Sequence, residues 1–153
     1  MRKMMFMAFA LSIGAMASEK VPLPALALNA KTVALINYAG GETGVFDGIY
    51  SNLKKWGRWK IVEPSESPDL LLVFSASDKA FGEMATASAS ASGNYASVTA
   101  THVPLLSTKR YLMLVDPATK QQIFLVECDR RLSAGYTGGL LVNDLKARIP
   151  KGR

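Results

Sequence analysis

The run "DLLLVF" (Asp69 to Phe74) constrains this chain most, because six residues of strand length with almost no polar side chain read as a central strand buried on both faces of a sheet. "KTVALINY", some thirty residues earlier, has the same character, with Val33 and Leu35 on one face and Ala34 and Ile36 on the other. Two such strands call for a layered domain with helices against the sheet. The segment between them supplies one helix. In "VFDGIYSNLKKWG", Phe46, Ile49, Tyr50, Leu53 and Trp56 recur at helical spacing. Thr43 is placed to cap its start, Lys54 and Lys55 suit its last turn, and Gly57 is placed for a left-handed C-cap.

"RWKIVE" reads as a strand and "PSESP" as a loop whose prolines stop both neighbours. "RYLMLV" and "QIFLVEC" flank "DPATK", a hairpin turn in which Pro117 presets the backbone and Asp116 can bond back to it. A second amphipathic helix closes the chain in "TGGLLVNDLKARI" through Leu140, Leu141, Leu145 and Ile149. The expected fold class is α+β, of α/β-like character. Its mixed five-stranded sheet has the order β-α-β-β-(arm)-β-β-α, with two amphipathic helices packed on one face. Two helices leave the second face short of cover, which points to association unless the arm supplies that cover. The arm, residues 78–108, reads either as a flexible Ala/Ser/Gly loop or as one or two polar strands. It includes the low-complexity "ATASASAS" and has no charged residue from Met84 to Thr108 if His102 is neutral.

The N-terminus carries an address. Arg2 and Lys3 precede an apolar run, Met4 to Met16, that is shorter than the about 20 residues a membrane-spanning helix needs. Ala15-Met16-Ala17 then has the small-x-small form of a signal-peptidase site. The expectation is a signal peptide at 1–17 cut after Ala17, a leader at 18–30 and one domain over 31–150. The mature product would be exported, periplasmic or secreted, with no transmembrane segment after cleavage. An uncut signal anchor is the competing reading, and a second Ala-x-Ala at Ala25-Leu26-Ala27 leaves the cut open. The formal charge of +6 shrinks once Arg2 and Lys3 leave, and the remaining mild excess reads as solubility or as compatible with a peripheral membrane contact. Nucleic acid is not an expected partner. The single cysteine, Cys128, rules out an internal disulfide.

Few residues look like chemistry. Lys54, Lys55, Arg58 and Lys60 interleave with Trp56 and Trp59 as in an aromatic-basic strip. Each is also explained by a helix ending at Gly57 and a strand beginning beside it, and the seam is the preferred reading. "GGETG" (Gly40 to Gly44) lies where phosphate loops occur but lacks the lysine and hydroxyl that a P-loop needs. His102 is the only histidine, so multi-histidine metal sites are excluded, and no G-x-S-x-G elbow accompanies any serine. Cys128 lies between Glu127 and Asp129, whose charges raise a thiol pKa. Glu63, Glu66 and Asp69 lack the rhythm of a calcium loop. No catalytic, cofactor-binding or metal residues are assigned, and no cofactor is expected. Trp56, Trp59, Tyr95 and His102 are the candidate contacts to a ligand or partner.

"LKKWGRWKIVEPSESPDLLLVF", "YLMLVDPATKQQIFLVECD" and "GGLLVNDLKARI" together resemble a group of small uncharacterised exported α/β proteins of Gram-negative bacteria. The resemblance spans about residues 31 to 149 apart from the arm, and its pattern is one of fold, not of catalysis. More distantly the chain is similar to envelope domains such as the N-terminal domain of the Tol propeller protein and the curli-secretion lipoprotein. That likeness implies a periplasmic or outer-membrane-associated accessory that works by binding proteins. The chain departs from the pattern in lacking a lipidation cysteine, which argues against a membrane anchor, and in having Lys120 where the hairpin turn usually has Gly, which affects only the turn. Likeness of fold does not fix function, so no site residue is carried over. The leading expectation is a non-enzymatic exported domain that binds an envelope protein or itself. The alternative is a small-molecule or polysaccharide binder with the 78–108 arm as its lid. A hydrolase built on His102 is the third reading and has the least to support it.

Overall fold

The structure, a computed structural model, describes residues 21–77, 90–92, 95–97 and 108–150. Helix α1 (Ala25–Asn29) leads into strand β1 (Thr32–Asn37), helix α2 (Thr43–Trp56) and the short strand β2 (Lys60–Ile61). A 3-10 turn (Pro64–Glu66) precedes β3 (Leu70–Ser75), and β4 (Ser90–Ser92) and β5 (Tyr95–Ser97) follow within the arm. Strands β6 (Lys109–Val115) and β7 (Gln122–Asp129) form the hairpin, and helix α3 (Ala134–Ala147) closes the chain.

All strands belong to one mixed sheet of order β4-β5-β1-β3-β6-β7, with β2 paired to β1. The five expected strands are present, and the arm adds two more. β1 and β3 run parallel with Val33 opposite Leu70 and Asn37 opposite Phe74. β6 returns antiparallel to β3 and to β7. The outer edge of β1 is shared: β2 pairs with its first residues, Thr32 and Val33, and β5 with its last, Ile36 and Asn37. The expected strand over 58–63 shrinks to two residues for this reason, since β2 has only the first part of that edge.

Strand alternation sorts the core into two clusters. Val33, Leu35, Leu70, Leu72, Phe74, Leu112, Leu114 and Val126 point to the helices, where Phe46, Ile49, Leu53, Leu141 and Leu145 meet them. Both amphipathic helices therefore lie on one face, as expected. Ala34, Ile36, Leu71, Val73, Tyr111, Met113 and Val115 form the second cluster, to which no helix contributes among the described residues. These side chains are nonetheless buried within the single chain, and Val73, Met113 and Val115 are fully so. The second face is thus buried core within the single chain, which removes the pointer to association that a shortage of helices gave.

The two helices run parallel and touch backbone to backbone. A Cβ on Gly138 would lie 2.4 Å from the Val45 carbonyl oxygen, and one on Gly48 would lie 2.8 Å from that of Gly135. Only glycine permits this approach. Gly57 ends α2 at φ 66°, in the left-handed C-cap that the sequence predicts. Two starts differ from expectation. Glu42 takes the N-cap position of α2 in place of Thr43, and α3 begins at Ala134 because Ser133 caps it through the Tyr136 amide.

The leader is part of the domain. Leu23 and Ala27 are buried in the helix-side core, and the Leu23 amide donates to the Arg148 carbonyl at 3.0 Å. Proline and small residues disguise this in the sequence, since α1 has only five residues and no apolar period to read.

Candidate functional site

Parallel strands β1 and β3 end where antiparallel β6 begins, so Asn37, Ser75 and Arg110 come to one end of the sheet. Both long helices start there as well. In open α/β sheets this loop end, outside the carboxyl ends of the parallel strands, is where ligands are usually met. All four buried polar or charged side chains among the described residues, Asn37, Ser75, Arg110 and Thr137, lie at this end.

Their hydrogen bonds are structural. Asn37 Oδ1 accepts from the Ala39 amide at 3.0 Å and shapes the turn through Gly40, which has φ 67°. Ser75 Oγ accepts from the Ser77 amide at 2.9 Å. Thr137 Oγ1 accepts from the Arg131 amide at 3.0 Å and donates to the Ser133 carbonyl at 3.1 Å, which ties the β7–α3 loop to the first turn of α3. Arg110 forks onto both Glu42 carboxylate oxygens through Nε and NH2, and its NH1 donates to the Lys109 carbonyl at 2.7 Å. Its side chain is 6% exposed, and an unpaired guanidinium so buried would be costly, so Glu42 supplies the charge that Arg110 needs. Arg130 reaches the same carboxylate from outside, its Nε 3.7 Å from Oε1.

Beyond this framework the β7–α3 loop is open. Asp129 to Tyr136 form an unbroken exposed stretch, and Arg130, Arg131, Leu132, Ser133 and Tyr136 line a broad-mouthed cavity of about 710 Å³. Leu132 is fully exposed and Tyr136 is 60% exposed. Cys128 lies just beneath, its Sγ 3.8 Å from the Thr137 carbonyl oxygen. Burial, and secondarily the Asp129 charge, push this thiol up to about 11 against the opposing pull of Arg131 and Arg110. Burial is the larger cause, ahead of the neighbouring carboxylate charge that the sequence points to. At neutral pH the group is a thiol, a poor nucleophile.

The residues singled out from sequence lie elsewhere. Trp56 and Trp59 meet edge to face at the other end of α2, with centroids 5.2 Å apart. Trp59 is buried, Lys146 Nζ stands 5.6 Å over the Trp56 ring, and Arg58 NH2 donates to the Leu28 carbonyl at 2.7 Å. The pair is a seam joining α1, α2, β2 and α3, as the helix-end reading predicts. Tyr95 opens β5, whose register is described but whose side chains are not, and His102 lies outside the described residues. Among the described residues, the structure brings the two tryptophans together. Of the acidic loop, Asp69 accepts the Lys31 and Thr32 amides at 2.8 and 2.9 Å, while its own amide donates to Thr32 Oγ1 at 2.9 Å. Glu63 and Glu66 form the capping box of the 3-10 turn. Among the described residues no three metal-ligating side chains gather, and no helix is long and apolar enough to cross a membrane.

Glu42, Arg110, Arg130, Arg131 and Tyr136 are the residues that pattern reading passes over. The visible signal was the arginine pair in "CDRRLSAGY", lodged between a strand end and a helix cap. No protein-family model matches the chain, and none of the curated proteins or solved structures searched does either.

Proposed function

We propose that this chain is an exported, non-enzymatic α/β domain that acts by binding a protein of the cell envelope or a second copy of itself. The observation that carries the reading is the division of labour at the loop end. Its buried polar groups are engaged in holding loops and helix starts, while the exposed β7–α3 loop presents arginines, a leucine and a tyrosine over an open cavity. Such a surface is suited to contact, and the raised Cys128 thiol is unsuited to attack.

The placement of the leader bears on where the proposed signal peptide is cut. A cut after Ala27 would remove Leu23 and most of α1 from the core, whereas a cut after Ala17 leaves both in place. N-terminal sequencing of the mature protein should therefore begin at Ser18. A mature chain beginning at Leu28 would contradict the packing, and an uncut chain would contradict export by signal cleavage.

The binding reading is tested by cross-linking in intact cells with a lysine-reactive reagent, followed by mass spectrometry of the captured peptides. Reproducible links to one envelope protein, or between copies, are the expected result. A chain that links reproducibly to no protein would overturn it.

A further inference from the structure

Four large apolar side chains stand out in solvent among the described residues: Val21, Leu26, Leu132 and Tyr136. The last two are four residues apart across the start of α3, and both line the cavity that Arg130 and Arg131 also line. The charges around them are unevenly satisfied. Glu42 is gripped by Arg110 and stands 3.7 Å from Arg130, whose side chain remains 59% exposed. Arg131 forms no ion pair among the described residues, and its amide alone is engaged, by Thr137. Asp129 is their neighbour in sequence, but its strand position faces away from them. It lies opposite Lys109 on the other face of the sheet, whereas Arg110 and Cys128 face the helices.

We propose that Arg130, Arg131, Leu132 and Tyr136 form a docking surface for an acidic segment of a partner envelope protein. In this arrangement the segment's carboxylates meet the two guanidiniums and an apolar side chain enters the cavity beside Tyr136. The inference rests on the binding reading and assigns that reading its surface and its partner's chemistry. A planar guanidinium fork matches a carboxylate with two parallel hydrogen bonds, and arginine and tyrosine are both enriched among the residues that carry binding energy at protein interfaces. An anionic bilayer is held by clusters of about 4–8 basic residues and a nucleic acid by a longer basic stripe, so two arginines beside two apolar side chains favour a protein.

The test uses the full chain in its own cells with p-benzoylphenylalanine in place of Tyr136, and in place of the exposed Lys55, near the C-terminal end of α2, as control. Light should join the Tyr136 position, and not the Lys55 position, to one protein through a peptide rich in Asp and Glu. Arg130→Glu with Arg131→Glu should cut that adduct roughly tenfold or more. Changing the acidic residues of the captured peptide to Lys should restore it. Arg130→Ala with Arg131→Ala, a milder pair on an exposed loop, should weaken it with an unchanged circular dichroism spectrum. An adduct indifferent to charge reversal, an adduct to lipid, a captured peptide without acidic residues, or equal labelling at both positions would each overturn the surface. If lysine-directed cross-linking finds a partner that the Tyr136 probe misses, only this surface fails. If neither finds one, the binding reading fails with it.

Discussion

Asp69 shows how much one exposed carboxylate can organise. It accepts two successive amides at the start of β1 while its own amide bonds Thr32, so the first residues of the two central strands are clamped to each other. Those amides, Lys31 first, hold its pKa below the ordinary 3.8. Asp116 does the same inside the hairpin turn, accepting from the Ala118 amide at 2.8 Å and the Thr119 hydroxyl at 2.9 Å, and its pKa is lowered too. A carboxyl whose folded pKa is depressed contributes stability that is present above its unfolded value and lost as pH falls through the folded one. The difference in melting temperature between the wild type and Asp69→Ala should therefore be full at pH 6 and shrink as the pH drops below about 3.8. A difference that stays constant down to pH 2 would remove the clamp from the explanation. Cys128 gives a second residue-scale expectation. With its pKa near 11, iodoacetamide at pH 8 should alkylate the native protein at least roughly tenfold more slowly than the unfolded chain. Equal rates would mean the thiol is neither buried nor shifted.

At the scale of elements, the apolar pattern made the five main strands and both long helices legible, because burial on one or two faces imposes periods of 3.6 or 2. Gly57 was readable too, since a glycine after the last apolar position of a helix has few other uses. The contact between α2 and α3 was not readable. Gly44 looks like a turn residue in "GGETG", Gly48 and Gly138 stand inside the helical runs "VFDGIYSNLKKWG" and "TGGLLVNDLKARI", and only the fold shows that they lie on the surface along which two helices touch. Gly138→Ala should thus destabilise the protein by about 1–3 kcal/mol, the cost of overpacking a tight contact, although alanine is the better helix former. Urea unfolding measures this directly, and a stabilised variant would contradict the close approach. The candidate site escaped for a related reason. Glu42 and Arg110 are 68 residues apart and meet only when β1 and β6 reach the same end of the sheet. The tryptophans drew notice because they are conspicuous in sequence, yet their rings pack on each other and on the core.

For the whole molecule, closure of both sheet faces bears on where the proposed recognition lies. A face whose valines and methionine are fully buried within the chain does not present them to a partner, and the proposed surface is instead the loop end with its exposed β7–α3 corner. The expectation of an under-covered face came from counting helices. Burial of Ala34, Val73 and Met113 shows that the count of helices is not the count of what covers a sheet. The buried side chains carry the stability that a chain without a disulfide must find in its core, each large one contributing about 1.5–3 kcal/mol. Met113→Lys separates the two placements of the binding surface. It puts a charge at a fully buried position on the face without described helices, so the chain should lose its cooperative melting transition. A Met113→Lys protein that melts at the wild-type temperature but no longer cross-links to its partner would place recognition on the sheet face and contradict its assignment to the loop end.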